Sequence, residues 1–218
     1  MKRRAQRTYR SLYPSIKDLT DRSGATVLLI LFAPVLLLTA VLLGSGQRGE
    51  ILFRQVRAGR HGHPFTLYKF KTMRDVRDRQ GCPLPDKERI TLLGRFLRAS
   101  SIDELPQLIN VIRGEMSLVG PRPLYVDYIT LYTDRQALRM RVKPGITGLA
   151  QINGRNQTTW EKRLELDAQY VEALSFKQDV RILFLTLFAV FSFKNTHHGD
   201  APTMPMFSGS PKGTEKLA

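Results

Sequence analysis

Ala25 to Leu43 is a run of 19 residues without a charge, just long enough to cross a bilayer as one helix. Pro34 stands at its midpoint, where the missing amide donor and the ring's clash with the preceding turn predict a kink. The run has no small-residue cleavage pattern after it and is not a secretory signal. Beyond it, ILFRQVRAG and HPFTLYKFKTM flank Gly59 to Gly62 and predict a β-hairpin, rich in aromatic and β-branched residues. Arg74 to Lys87, with Gly81, Pro83 and Pro85, predicts a loop. Ile90 to Ser100 is amphipathic: Leu93, Phe96 and Leu97 share a face beside Arg95 and Arg98. Ile102 to Arg113 predicts a helix with Leu105, Leu108, Ile109 and Ile112 on one stripe and Pro106 in its first turn. Helices are also predicted over Asp127–Val142 and Thr159–Leu174. Ile182 to Phe193 is uncharged but, at 12 residues, too short to span. It and Ile90–Ser100 suit either core packing or a helix lying in a membrane interface. From His197 on, Gly, Pro, Ser and Lys dominate and predict a flexible tail.

Charge changes the reading of the apolar run. The chain of 218 residues carries 34 Lys and Arg against 19 Asp and Glu, a net charge of +15, with a pI near 10.4. Such a balance calls for a polyanionic partner: nucleic acid, an anionic membrane or a phosphorylated substrate. Arg3, Arg4, Arg7, Arg10, Lys17 and Arg22 precede the run, and Arg48, Arg54, Arg57 and Arg60 follow it. Basic flanks favour the cytosolic side. A kinked hairpin that enters and leaves one leaflet satisfies both flanks, whereas a straight span, which tolerates a central proline, satisfies one. Hydrophobic residues at 42% exclude a disordered basic tail. Cys82 is the only cysteine, so no internal disulfide forms, and no zinc-type spacing exists. His197-His198 reads as a solvated pair.

Two stretches carry candidate chemistry. Asp103-Glu104 sits at a helix start, where free N–H groups favour negative charge, so the pair alone reads as a helix start as readily as a site. Lys143 to Asn156, KPGITGLAQINGRN, sets Gly145, Gly148 and Gly154 among Lys143, Gln151 and Arg155. Glycines there admit a phosphate to the backbone, or simply shape a loop; the stretch lacks the GK[ST] of a Walker loop.

In order, LFRQVRAGRHGHPFTLYKFKTM, LLGRFLRASSIDELPQLINVIRGEMSLVGPRP, VKPGITGLAQINGRN and LELDAQYVEALSFKQDVRILFLT resemble the bacterial sugar transferase family, the monotopic polyprenol-phosphate phosphoglycosyl transferases. The resemblance runs from about Ser15 to Thr196 and approaches the family's minimal catalytic unit. Including the TMPMFSG ending, it is most similar to small transferases of bacillosamine or N-acetylhexosamine 1-phosphate. It implies an α/β fold, mostly helical with a small β-hairpin, attached by one re-entrant helix and interfacial amphipathic helices. Residues 1–48 would form the basic segment and re-entrant helix, 49–196 the catalytic domain and 197–218 the tail. The family's helix commonly breaks at Ser-Pro; here the step is Ala33-Pro34, with Pro34 as the break.

The resemblance also implies a reaction. A UDP-sugar, such as UDP-di-N-acetylbacillosamine or a UDP-N-acetylhexosamine, donates a sugar 1-phosphate to undecaprenyl phosphate. UMP is released, Mg²⁺ is required, and an aspartyl-phosphosugar intermediate forms. Asp103 matches the nucleophile, and Glu104 a catalytic acid that helps hold Mg²⁺. Lys69, Arg98 and Arg122 match positions near phosphate. Lys143, Gln151 and Arg155 fall in the expected nucleotide loop, and Asp167 matches a family acid. The expected site is the cytosolic face of a bacterial inner membrane, with membrane lipid and downstream glycosyltransferases as partners and no nucleic acid. A basic, membrane-anchored binding protein would explain the charge equally but would give Asp103 no special role.

Overall fold

The computed structural model describes residues 2–46, 50–153, 158–191 and 206–209. The chain enters as α1 (Lys2–Leu31), bends and continues as α2 (Ala33–Gly46). Pro34 has no N–H to give to the carbonyl four residues back, and the axis turns by 60° at this break. The helix therefore begins well before the apolar run. No single helix among the described residues is long and apolar enough to cross a membrane; Tyr13–Leu31 and Ala33–Ser45 qualify by length and composition only as a bent pair. Each arm docks one face. Ala25, fully buried, packs with Phe65, Leu67, Leu108, Val111 and Met116, and Leu43 packs with Phe70 and Leu97. The opposite faces, with Val27, Ile30, Leu37, Leu38 and Val41, are exposed.

The hairpin forms as expected, from β1 (Leu52–Ala58) and β2 (Pro64–Phe70), antiparallel, with Arg57 opposite Phe65 and Phe53 opposite Lys69. A short helix, α3 (Asp86–Arg89), ends the charged loop. In α4 (Leu92–Ala99) the Thr91 hydroxyl caps by accepting from the Gly94 amide. The helix buries Leu97 and exposes Leu92 and Phe96, so the expected face of Leu93, Phe96 and Leu97 is split.

Ile102–Arg113 is not one helix. Ile102–Gln107 is a 3₁₀ turn, and only α5 (Leu108–Ile112) is α-helical. Pro106 would clash with the Ile102 carbonyl in an α-helix, and the tighter winding avoids this. A second sheet, absent from the expected fold, pairs β3 (Ser117–Val119) parallel to a later strand. Asp127–Val142 also breaks up, into a 3₁₀ turn Val126–Leu131, α6 (Asp134–Ala137) and a 3₁₀ turn Leu138–Arg141. Thr133 and Gln136 form a capping box, which starts a new helix inside the expected one. The partner of β3 is β4 (Gly145–Thr147), followed by α7 (Leu149–Ile152). A Cβ on Gly145 would lie 2.0 Å from the Gly120 amide, and one on Gly148 would lie 2.1 Å from the Gly120 carbonyl. These two glycines thus permit close backbone packing.

Helices α8 (Trp160–Glu172) and α9 (Phe176–Phe191) complete the domain. On α9, Asp179 and Ile182 face inward, while Phe176, Val180, Leu183, Phe184, Leu187 and Phe188 make an exposed apolar stripe. Of the expected tail, Met206–Gly209 is described: Phe207 is buried among Tyr128, Tyr132 and Trp160, and its amide donates to the Tyr128 hydroxyl. The rest of residues 197–218 lies outside the described residues.

Candidate active site

The turn between α4 and the 3₁₀ segment places the two carboxylates. Ser101 adopts a left-handed conformation (φ 59°), unusual for a residue with a side chain and a known form of local strain at functional sites. Asp103 and Glu104 follow in the first turn of Ile102–Gln107. From β2, Lys69 Nζ donates to Glu104 Oε1 at 2.5 Å; Arg122 Nη2 donates to the same oxygen at 2.7 Å. Burial alone would raise the Glu104 pKa, but the two cations hold it well below the usual carboxylate range. In turn, Glu104 raises the Arg122 pKa, whereas burial lowers that of Lys69.

Asp103 is built differently. It is 7% exposed, and among the described residues its carboxylate receives no hydrogen bond and joins no ion pair. Burial, and then the charge of Glu104, push it up to about 6, against the attraction of Lys69, Arg98 and Arg122. Arg98 faces this group from α4, fixed by its Nε donating to Thr72 Oγ1 at 2.8 Å. The result is a carboxylate surrounded by positive charge but bonded to none of it, the condition a nucleophile needs.

Among the described residues, no group of three or more His, Cys, Asp or Glu side chains could hold a metal. Mg²⁺, however, commonly binds one or two carboxylates together with substrate phosphates. Asp103 and Glu104 are adjacent oxygen donors, and the unbonded carboxylate of Asp103 fits such a site.

The structure thus gathers Lys69, Arg98 and Arg122 around Asp103 and Glu104. Lys143 and Asp167 make other contacts. Lys143 pairs with Asp18 on α1. The Gln151 amide, on α7, is buried with neither polar atom partnered. Arg155 lies outside the described residues. Asp167, on α8 and almost wholly buried, accepts from Arg139 Nε at 3.1 Å and Nη2 at 3.0 Å. Arg139 also donates to the Tyr132 hydroxyl and the Arg122 carbonyl. Asp167 thus positions Arg139, and through it the Arg122 backbone. Burial raises the pKa of Asp167, and the adjacent Arg139 opposes the rise. Arg139 was not among the expected residues. It contacts Asp167 across 28 positions, a pairing only the tertiary fold makes.

A model of the bacterial sugar transferase family matches residues 12–193. An uncharacterized sugar transferase, EpsL, of Bacillus subtilis is 50% identical over 195 residues, covering 89% of this chain and 96% of that one. A UDP-glucose:undecaprenyl-phosphate glucose-1-phosphate transferase of Klebsiella pneumoniae is 41% identical over 191 residues, which span 83% of this chain and 41% of that protein. The exopolysaccharide production protein ExoY of Rhizobium meliloti is 38% identical, covering 78% and 83% respectively.

Proposed function

Because the chain belongs to the bacterial sugar transferase family, we propose that it transfers a sugar 1-phosphate from a UDP-sugar to undecaprenyl phosphate through an Asp103-linked intermediate. The observation that carries this reading is the pairing of unlike carboxylates: Asp103 buried and unbonded, Glu104 clamped by Lys69 and Arg122. An Asp103 carboxylate oxygen attacks the phosphorus that bears the sugar. The bond from that phosphorus to the bridging oxygen breaks, and UMP leaves with the electron pair. A phosphate oxygen of undecaprenyl phosphate then attacks the same phosphorus, the acyl-phosphate bond breaks, and Asp103 returns as a carboxylate. Arg122 and Arg98 offset the phosphoryl charge, and the planar fork of each suits two oxygens at once. Glu104 aligns Lys69 and Arg122. Glu104, beside Asp103, would hold Mg²⁺, which when bound would supply positive charge to offset that of the diphosphate.

The exposed apolar stripes of α9 and of the bent α1–α2 pair, together with Leu92 and Phe96, suit attachment to the face of a bilayer. Such attachment brings a lipid phosphate to Asp103, and a UDP-sugar donor places the site on the cytosolic face of a bacterial inner membrane. As donor, the TMPMFSG ending favours N-acetylated UDP-sugars, including UDP-di-N-acetylbacillosamine. The names of relatives such as that of Klebsiella pneumoniae favour UDP-glucose. The test is UMP release from a panel of both donor types with Mg²⁺ and undecaprenyl phosphate, using wild type and Asp103→Asn in parallel. Release by wild type alone is expected; equal release by both removes Asp103 from the chemistry.

A further inference from the structure

Arg57 takes no part in the ion pairs around Glu104. Strand side chains alternate, and the register sets Arg57 opposite Phe65, Gln55 opposite Leu67 and Phe53 opposite Lys69. Arg57, Gln55 and Lys69 therefore leave one face of the hairpin. From that face Lys69 meets Glu104, and Arg57 meets the segment just after Arg122. The Arg57 guanidinium lies over the Tyr125 ring, with Cζ 3.8 Å from the centroid. Its Nη2 donates to Gln55 Oε1 at 2.5 Å, and Gln55 Nε2 donates to the Tyr125 hydroxyl at 3.5 Å. Stacking occupies the flat face of the guanidinium and leaves its edge for planar hydrogen bonding. That edge is not filled: Nε is buried without a partner.

Two other arginines nearby each have a carboxylate. Arg122 has Glu104 and Arg139 has Asp167, but the salt bridges among the described residues give Arg57 none. Burial lowers the Arg57 pKa; the Tyr125 hydroxyl counters this, and positive Arg122 adds to the fall. Arg163, buried on α8, is pushed down to about 10, by burial and then by the same Arg122. Cations that repel one another, with a buried N–H left open, describe a basin for an anion.

We propose that Arg57, together with Arg122, forms a phosphate monoester subsite beside the Asp103–Glu104 pair. This rests on the reaction proposed above and assigns a residue to it. A nucleotide phosphate carries one charge in the diphosphate but becomes a dianion when it leaves as UMP. A second guanidinium therefore binds the departing group better than the ground state, which is the condition for accelerating the step. The phosphate of undecaprenyl phosphate is a monoester as well, so both sources enter the test.

The full chain in nanodiscs with Mg²⁺ is assayed as wild type, Arg57→Gln and Arg57→Lys. The readouts are the inhibition constant of UMP, KM for undecaprenyl phosphate, KM for the donor and kcat. Arg57→Gln is expected to raise one of the first two about tenfold or more, with a smaller change in the KM for the donor. A rise for UMP assigns the subsite to the leaving group; a rise for the lipid assigns it to the acceptor. Arg57→Lys keeps a charge and a stem against Tyr125, so it carries the test if the glutamine variant does not fold. It is expected to keep the wild-type melting temperature and to show the same rise in part. Folded variants with both constants within twofold of wild type overturn the subsite. If wild type uses no UDP-sugar at all, the reaction itself fails. Calorimetric titration with UMP and with a short-chain polyprenyl phosphate then decides the subsite, since loss of Arg57 either weakens one of them or leaves both unchanged.

Discussion

The clusters around Asp179 and around Asp103 are both buried, charged and assembled from distant parts of the chain, yet only in the first does every charge contact an opposite one. Asp179, on α9, accepts from Tyr13 at 2.6 Å, Lys17 at 2.6 Å and Tyr170 at 2.7 Å. Lys17 also pairs with Asp21 at 3.1 Å, and Asp21 accepts from Ser117. Burial and the charge of Asp179 push the Tyr170 pKa up, so its hydroxyl keeps the proton it donates. Every charge there has an opposite charge in contact, and the cluster fastens α1 to β3 and α9. Around Asp103 the cations Lys69, Arg98 and Arg122 outnumber Asp103 and Glu104, and Asp103 itself has no bond. A structural cluster closes on itself, and a binding cluster keeps vacancies for what it binds.

The largest expected effect breaks the open cluster at its centre. Asp103→Asn keeps the shape and removes the nucleophile. Turnover should fall on the order of 10,000-fold or more, as it does when a covalent catalyst loses its attacking group. The fold should survive, because the carboxylate makes no bond to lose. A stopped assay with wild type and radiolabelled donor should also trap label on the protein, and Asp103→Asn should trap none. Label on the variant would move the nucleophile elsewhere.

The next effect breaks the closed cluster and is one of stability. Asp179→Ala leaves Lys17 and two tyrosine hydroxyls without their shared acceptor. The expected cost is about 3–5 kcal/mol, the range for opening a buried pair from one side. Denaturant unfolding in detergent measures it. Turnover per folded molecule should match wild type, because none of these groups contacts Glu104 or Asp103. A normal melting temperature with lost turnover would reverse the roles assigned to the two clusters.

The same division explains which parts could be read along the chain. Adjacent or periodic features were legible: the Asp103-Glu104 pair, the hairpin around Gly59–Gly62 and the break near Pro34. The capping box at Thr133 and Gln136 was also local, and it was a readable sign that Asp127–Val142 would not run as one helix. Strands β3 and β4 are three residues each, too short for a period, and they exist because Gly120, Gly145 and Gly148 let distant backbones meet. The Arg139–Asp167 pair and the meeting of Arg57 with Tyr125 likewise depend on tertiary placement. Strand alternation offered one unused clue, for it already placed Arg57 and Lys69 on one face of the hairpin. The pairing of Lys143 with Asp18, 125 positions apart, has no signal along the chain.

The smallest effect sharpens the contrast between a site built for stability and one that works against it. Asp103 titrates at about 6 in the fold, above its ordinary value of 3.8. The folded protein therefore holds that proton more tightly than the unfolded chain. Below about pH 4 the group is neutral in both states and has no net effect; as pH rises through about 6, the fold must accept a buried charge and loses stability. Asp103→Asn removes that charge, so without Mg²⁺ it should stabilise the protein at pH 7.5. The gain is on the order of 1–3 kcal/mol, or a few degrees in Tm, and it should fade as the pH approaches 4. Melting curves of both proteins in EDTA, from pH 4 to 8, provide the measurement. A gain that stays constant across that range would mean the asparagine acts through packing, and that the buried carboxylate is no burden to the fold.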